Sequence, residues 1–208
     1  YQQSTAVNAV KRTADPRNIL LGRGPRFRLS AETVRDQALA VSGLLTQKVG
    51  GRSVMPPQPD GVWKSTYNAL KWIDATGPDR YRRALYTYWK RTSPYPAMET
   101  FDMTPRENCT TRRIRTNTPL QALVTLNDPG FLEMATALGK KMKAQEGGFS
   151  DKINLGFQAL LVRDASKDEL SVLQKAYETM KKSAKNDADC WTVIGNILLN
   201  LDETVNKI

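Results

Sequence analysis

The chain has 208 residues, with 31 Lys and Arg against 21 Asp and Glu, a formal net charge of +10, and no histidine. The missing histidine excludes Ser-His-Asp and Cys-His nucleophile activation, His-containing zinc sites and Cys-x-x-Cys-His haem attachment, so any catalysis would fall to carboxylates, Tyr, Lys or Cys. The basic balance favours an acidic partner such as a polyanionic glycan, nucleic acid or an anionic surface. Cys109 and Cys190 form no Cys-x-x-Cys, so no metal site is expected, and a single disulfide between them stays open in an oxidising compartment. No apolar run reaches the roughly 18 residues that would cross a bilayer. The chain begins at Tyr1 and shows no signal sequence, which reads as a piece of a longer protein whose targeting information lies upstream.

Taken in order, residues 1–13 suit a short helix, and Pro16, Gly22, Gly24 and Pro25 make 13–29 an ordered loop. Ser30 as N-cap, Glu32 in the first turn, and Val34, Ala38, Val41 and Leu45 at helical spacing predict a helix over 31–46. Three prolines and three glycines between Val49 and Gly61 forbid a helix and suggest a path over the surface. The aromatic-containing halves of 62–73 could pair as a small hairpin. Pro78 followed by DRYRRALYTYWKR predicts a helix over 79–91 with Tyr81, Leu85, Tyr88 and Trp89 on one side.

Thr118-Pro119-Leu120-Gln121 matches a capping box that opens a helix over 119–127. Asp128-Pro129 starts the next, with Phe131, Met134, Ala135, Leu138 and Met142 as its apolar stripe and Glu146-Gly147-Gly148 as its end. Ser150 is read as the cap of a helix carrying Ile153, Phe157, Leu160 and Leu161, and Ser166 to Glu169 as a capping box before Leu170, Leu173, Tyr177 and Met180. A last helix carries Trp191, Ile194, Leu198 and Leu201. The fold class is therefore mainly α: one irregular helical domain over 1–208, with a C-terminal helical bundle, long proline-rich loops and at most a small β-hairpin.

The stretch RENCTTRRIRTNTPLQ places Arg106, Arg112, Arg113 and Arg115 beside Cys109 and directly before a helix start. With Arg82, Arg83 and Arg91 from the preceding predicted helix, these forks could hold carboxylate, sulfate or phosphate bidentately. The alternative, preferred here, is that they pair with Glu107, Asp102 and loop carbonyls to brace an irregular connection. Cys109 in this positive field could be a thiolate, but it lacks the usual proton acceptor, and a buried cysteine or a disulfide is the plainer reading. Glu32, Arg35 and Asp36, with Asp102, form a candidate polar network near Arg26 and Arg28. It reads either as a carboxylate pair for glycoside chemistry or, preferred, as a Glu–Arg network at i, i+3. Tyr81, Tyr86, Tyr88, Trp89 and Tyr95 could stack sugars, although the helical spacing makes Tyr81, Leu85 and Trp89 core and leaves Tyr86 and Tyr95 as the exposed contacts. Nucleic-acid binding fits the charge but no recognisable motif.

Several blocks give the chain a family resemblance over nearly its whole length: YQQS at 1–4, DPRNILLGRGPRFRLSAETVRDQALAVSGLL at 15–45, PPQPDGVW at 56–63, DRYRRALYTYWKRTSPYPAMETFD at 79–102, RENCTTRRIRTNTPLQALVTLNDPGFLEMA at 106–135 and WTVIGNILLNLDE at 191–203. It resembles the PSD-type domain of unknown function found at the C-terminal end of planctomycete cytochrome C domain proteins. The resemblance implies a large exported protein, periplasmic or at the cell surface, in which haem belongs to an upstream domain and this segment carries no cofactor. It also implies upstream domains of the same chain as partners, sometimes with a lectin-like module. The expectation is a structural or ligand-binding module with a basic arginine-rich loop, its partner an acidic polysaccharide or a neighbouring domain. The competing expectation is a carboxylate-based hydrolase or lyase acting on polysaccharide.

Overall fold

The computed structural model describes residues 5, 8–63, 70–184 and 186–207. Helix α1 (Ala9–Ala14) is capped by the Asn8 side chain, which accepts from the Lys11 N–H at 2.7 Å. An irregular stretch leads to the two-residue strand β1 (Phe27–Arg28) and then to α2 (Ala31–Ser42), whose cap Ser30 accepts from the Thr33 N–H. Helix α2 ends four residues earlier than its apolar spacing predicts. Gly43 takes a left-handed φ of +80°, and the N–H groups of Leu44 and Leu45 turn back to the Leu39 carbonyl.

Residues 43–63 lack helix, as their prolines and glycines require, but they do not simply cover the surface. Val54, Pro56 and Pro57 are buried, and the Pro56 and Pro57 carbonyls accept from Trp72 Nε1 and the Tyr95 hydroxyl, each at 2.8 Å. The hairpin expected over 62–73 falls largely on 64–69, outside the described residues.

The helix expected over 79–91 does not form. Two 3₁₀ turns, at Gly77–Tyr81 and Ala84–Tyr86, stand in its place. The neighbouring loop takes the backbone groups a helix would use: Thr46 N–H donates to the Tyr81 carbonyl, Val54 N–H to Tyr86, and Tyr88 N–H to Val54. The Asp36 carboxylate accepts from the Ala84 N–H at 2.6 Å. Against the helical spacing, Leu85 is exposed and Tyr95 is buried, because no helix forms and the Tyr95 hydroxyl is drawn to the Pro57 carbonyl, while Tyr81 and Trp89 pack partly against the core.

A short α3 (Pro96–Thr100), not evident from the sequence pattern, buries Ala97 and Met98. Then come α4 (Pro119–Asn127), α5 (Pro129–Ala144), α6 (Phe149–Leu161), α7 (Lys167–Lys181), α8 (Asp187–Leu199), α9 (Asp202–Val205) and β2 (Asn206–Lys207). The capping box before α7 forms as expected: Glu169 N–H donates to Ser166 Oγ and Ser166 N–H to the Glu169 carboxylate. Two other caps differ. Gly148, not Ser150, precedes α6, its N–H held by Asp151 at 2.7 Å. Thr118 holds the cap position of α4 without a side-chain cap bond, because Gln121 is turned inward. Leu201 lies beyond the end of α8. Strand β2 runs antiparallel to β1, Phe27 opposite Lys207 and Arg28 opposite Asn206, so this strand pair joins segments from opposite ends of the chain rather than making a hairpin.

The core centres on α5 against α8. Met134, Ala135, Leu138 and Met142 meet Ile194 and Leu198, with Ile153 and Phe157 of α6 and Val34, Ala38 and Leu39 of α2 closing around them. The two central helices touch backbone to backbone. A Cβ at Gly139 would stand 2.4 Å from the Trp191 carbonyl oxygen, and one at Gly195 2.5 Å from that of Ala135. Among the described residues no helix is long and apolar enough to cross a membrane.

This contact makes a direct prediction. Gly139→Ala and Gly195→Ala each overpack a backbone contact that cannot rotate away, and each should cost about 1–3 kcal/mol despite the better helix propensity of alanine. Thermal denaturation should show a drop of several degrees, against no loss for Gly22→Ala, where a Cβ would meet nothing within 4 Å.

Candidate functional site

The seven candidate arginines separate into two groups. Arg82 is 1% exposed. Its guanidinium donates to the carbonyls of Arg52 (2.9 Å), Lys48 (3.2 Å) and Gly50, and lies 3.8 Å from the Tyr86 ring centroid. It is the internal clamp of the 48–52 loop, where Gly50 and Gly51 take positive φ. Arg83 binds Asp36 at 3.0 Å. Arg91 is exposed and makes no ion pair among the described residues, and Arg106 lies over the Trp89 ring at 5.7 Å, whose Nε1 donates to the Pro105 carbonyl.

Arg112, Arg113 and Arg115 do come together, with two partners that the sequence reading treats only as neighbours of Glu32. Arg26, the β1 residues Phe27 and Arg28, and residues 112–115 line one open groove of about 920 Å³. A second hollow of about 470 Å³ continues it past Arg115 to Thr116, Asn117, Asp202 and Asn206. Five arginines (Arg26, Arg28, Arg112, Arg113 and Arg115) therefore line the groove. Of these, Arg26 is paired with Asp202, and Arg113 with both oxygens of Glu32 at 2.8 Å. Arg115 donates to the Arg28 carbonyl at 2.6 Å and lies 5.6 Å from the Phe27 ring; Arg28 lies 5.6 Å from the Phe101 ring. Burial pulls the Arg28 guanidinium below its ordinary value, countered by the charges of Asp202 and Asp102. Arg112 makes no ion pair among the described residues. The groove keeps a positive excess and planar donors, the chemistry that suits carboxylate, sulfate or phosphate.

The candidate network on α2 disperses. Glu32 pairs with Arg113 rather than with Arg35, Arg35 is buried with its guanidinium donating to the Arg80 carbonyl at 3.3 Å, and Asp36 holds Arg83 and Ala84. Helical spacing suggests the i, i+3 pair, but loops 80–84 and 112–115 flank α2 and offer partners from far along the chain. Asp102, at a φ of +60°, accepts from the Thr116 N–H at 2.6 Å and from its hydroxyl, and closes the base of the arginine loop. Burial lifts the Asp128 carboxyl above its ordinary value, against hydrogen bonds from Phe131 and Gly130 that hold it as the cap of α5. Neither the arginine groove nor a smaller hollow of about 380 Å³ beside Phe149, Tyr177 and Trp191 is lined by two carboxylates. The two cysteines are free, Cys109 exposed and Cys190 buried.

The fold and groove define a mainly α domain with an arginine-lined surface hollow. The chain belongs to the PSD1 family, described as a protein of unknown function (DUF1553), whose family model matches residues 1–177. Helix α8 and β2 lie beyond that match. No curated protein and no solved structure matches the chain.

Two experiments separate bracing from exposed arginines. Arg82→Ala strips three loop carbonyls of their donor and should cost roughly 2–4 kcal/mol, with faster amide exchange over 48–52, whereas Arg112→Ala should change stability by no more than about 0.5 kcal/mol. For Glu32, burial favours the neutral form, but hydrogen bonds from its own backbone, Arg113 and Ser30, with the Arg113 charge, outweigh it and hold the carboxyl below its usual range. Its contribution is therefore present above the unfolded carboxylate value and lost as pH falls through the lower folded one. Glu32→Gln should cost about 0.5 kcal/mol at pH 7, and its denaturation midpoint should converge with that of the native chain as pH drops below about 4.

Proposed function

We propose that this domain is a binding module rather than a catalyst, and that its arginine groove holds the acidic groups of a partner. The observation that carries the reading is that Arg26, Arg28, Arg112, Arg113 and Arg115 line one open groove, with two of the five ion-paired to a carboxylate among the described residues. An arginine that only braces a loop turns its terminal nitrogens to carbonyls, as Arg82 does. Carboxylates on an acidic polysaccharide and on a neighbouring domain of the same longer protein present the same chemistry to these forks. The family resemblance supports an exported parent protein, periplasmic or at the cell surface, in which haem would sit on another domain.

The competing carboxylate-based hydrolase or lyase needs two acids with separated pKa values facing a substrate. Here Glu32 and Asp36 are held by guanidiniums, Asp102 by Thr116, and Asp128 by the first turn of α5. These commitments favour binding over hydrolysis.

Calorimetry with a sulfated oligosaccharide and with polyglutamate tests the groove. Either polyanion should release heat at low salt, the affinity should fall steeply with added salt, and Arg112→Glu with Arg115→Glu should weaken it by about tenfold or more. Absence of heat at low salt, or binding indifferent to the double substitution, would defeat the reading.

A further inference from the structure

Helix α4 is built inside out. Its buried positions are polar: Gln121 is 0% and Thr125 1% exposed. Its leucines face out, with Leu120 at 57%, Leu123 at 54% and Leu126 at 39%. At 100° per residue these three span an arc of about 120°, the width of the apolar stripe that a surface helix normally turns to a core. The inversion is fixed by bonds. Gln121 Nε2 donates to the Thr100 carbonyl at 3.0 Å, and Thr125 Oγ1 to Asn200 at 2.6 Å. Asn196 Nδ2 donates to the carbonyls of Thr125 and Leu126. The helix cannot roll its leucines inward without breaking these.

The stripe is continuous with the groove. Every residue from 105 to 120 is exposed, Ile114 at 80%, and Thr116 and Asn117, which line the second hollow with Arg26, Arg28 and Arg115, stand immediately before the first turn of α4. Three outward leucines on the helix that follows an arginine-lined groove, where Arg112 has no ion pair among the described residues, are the complement of one kind of object: an α-helix with leucines or isoleucines along one face and Asp or Glu beside them. A second copy of this chain fits poorly, because pairing α4 with α4 would set two arginine loops against each other in a chain of net charge +10. A polysaccharide would satisfy the arginines and leave the leucines in water.

Resting on the groove reading above, we infer that the partner is polypeptide: an acidic amphipathic helix that lays its apolar face on Leu120, Leu123 and Leu126 and its carboxylates on the arginine loop. The apolar stripe supplies affinity, and the arginines supply register and rate.

The test uses the full 208-residue chain and two probes, a helical peptide with a leucine stripe and glutamate flanks, and polyglutamate of equal net charge. The peptide should bind more tightly than polyglutamate, and Leu120→Gln with Leu123→Gln and Leu126→Gln should weaken it by about tenfold or more, to the polyglutamate level. Glutamine keeps helix propensity at these exposed positions, and circular dichroism checks that the variant folds. Val172→Gln, at an exposed position of α7, should bind like the native chain. Equal binding of both probes, unaffected by the leucine changes, overturns the inference and leaves the groove reading standing. Binding of neither probe defeats both. Concentration-dependent dimerisation abolished by the leucine changes would make a second copy the occupant and overturn the inference as well.

Discussion

The buried carboxamide of Gln121 organises the candidate site. Its Nε2 donates to the Thr100 carbonyl at 3.0 Å and lies 3.4 and 3.3 Å from Asp102 and Thr116 oxygens. That single amide ties the end of α3, the left-handed turn at Asp102 and the far end of the arginine loop to the first turn of α4. The buried Nε2 would forfeit its desolvation energy without these acceptors, whereas Oε1 finds no partner among the described residues, so the Nε2 bonds rather than the leucines set the orientation of α4. Outward leucines and an outward arginine loop are two results of one constraint.

The arginines show how one residue type is divided between structure and surface. Arg82 turns both terminal nitrogens to loop carbonyls and lays its guanidinium over an aromatic face, so it acts as a brace for 48–52. Arg113 and Arg26 are half committed, each with one carboxylate at the solvent boundary, where such pairs contribute little to stability. Arg115 ties the loop to the Arg28 carbonyl, and Arg112, with no ion pair among the described residues, carries the groove's positive charge to solvent, which is what the proposed binding of anions rests on. Beneath this surface, the glycine contact between α5 and α8 holds the frame on which α4 and β1 are carried, while the Arg163 bridge to Glu169 and Glu203, which pins the Glu169 carboxyl at about 2, is another pair at the solvent boundary.

Much of the frame was legible in the sequence because local signals and tertiary packing agree there. Asp128, Ser166 and the stripe from Phe131 to Met142 read as helix caps and core, and they are. The failures arise where long-range partners override spacing. Residues 79–91 have helical periodicity, yet Asp36 and the 46–54 loop claim their backbone groups. Glu32 and Arg35 sit at pairing distance on one helix, yet Arg113, 81 positions away, takes the carboxylate. Thr118 to Gln121 carries the letters of a capping box, but the glutamine finds a buried carbonyl instead. Arg26 and Arg28 read in the sequence only as neighbours of the α2 network, and the bond from Arg115 to the Arg28 carbonyl, 87 positions away, is what joins them to the arginine loop. The inversion of α4 had no signal in periodicity, since its leucines are spaced as any core stripe would be.

The central claim is that the surface running from the arginine loop onto α4 is where an acidic partner lands. Methyl-labelled NMR of the full chain during titration with an acidic amphipathic helical peptide measures this directly. The account predicts saturable shifts in the methyl groups of Ile114, Leu120, Leu123 and Leu126, with Leu138, Leu198 and Val172 unmoved. Shifts confined to α6, α7 and α8, or none in the four outward residues at saturation, would contradict it.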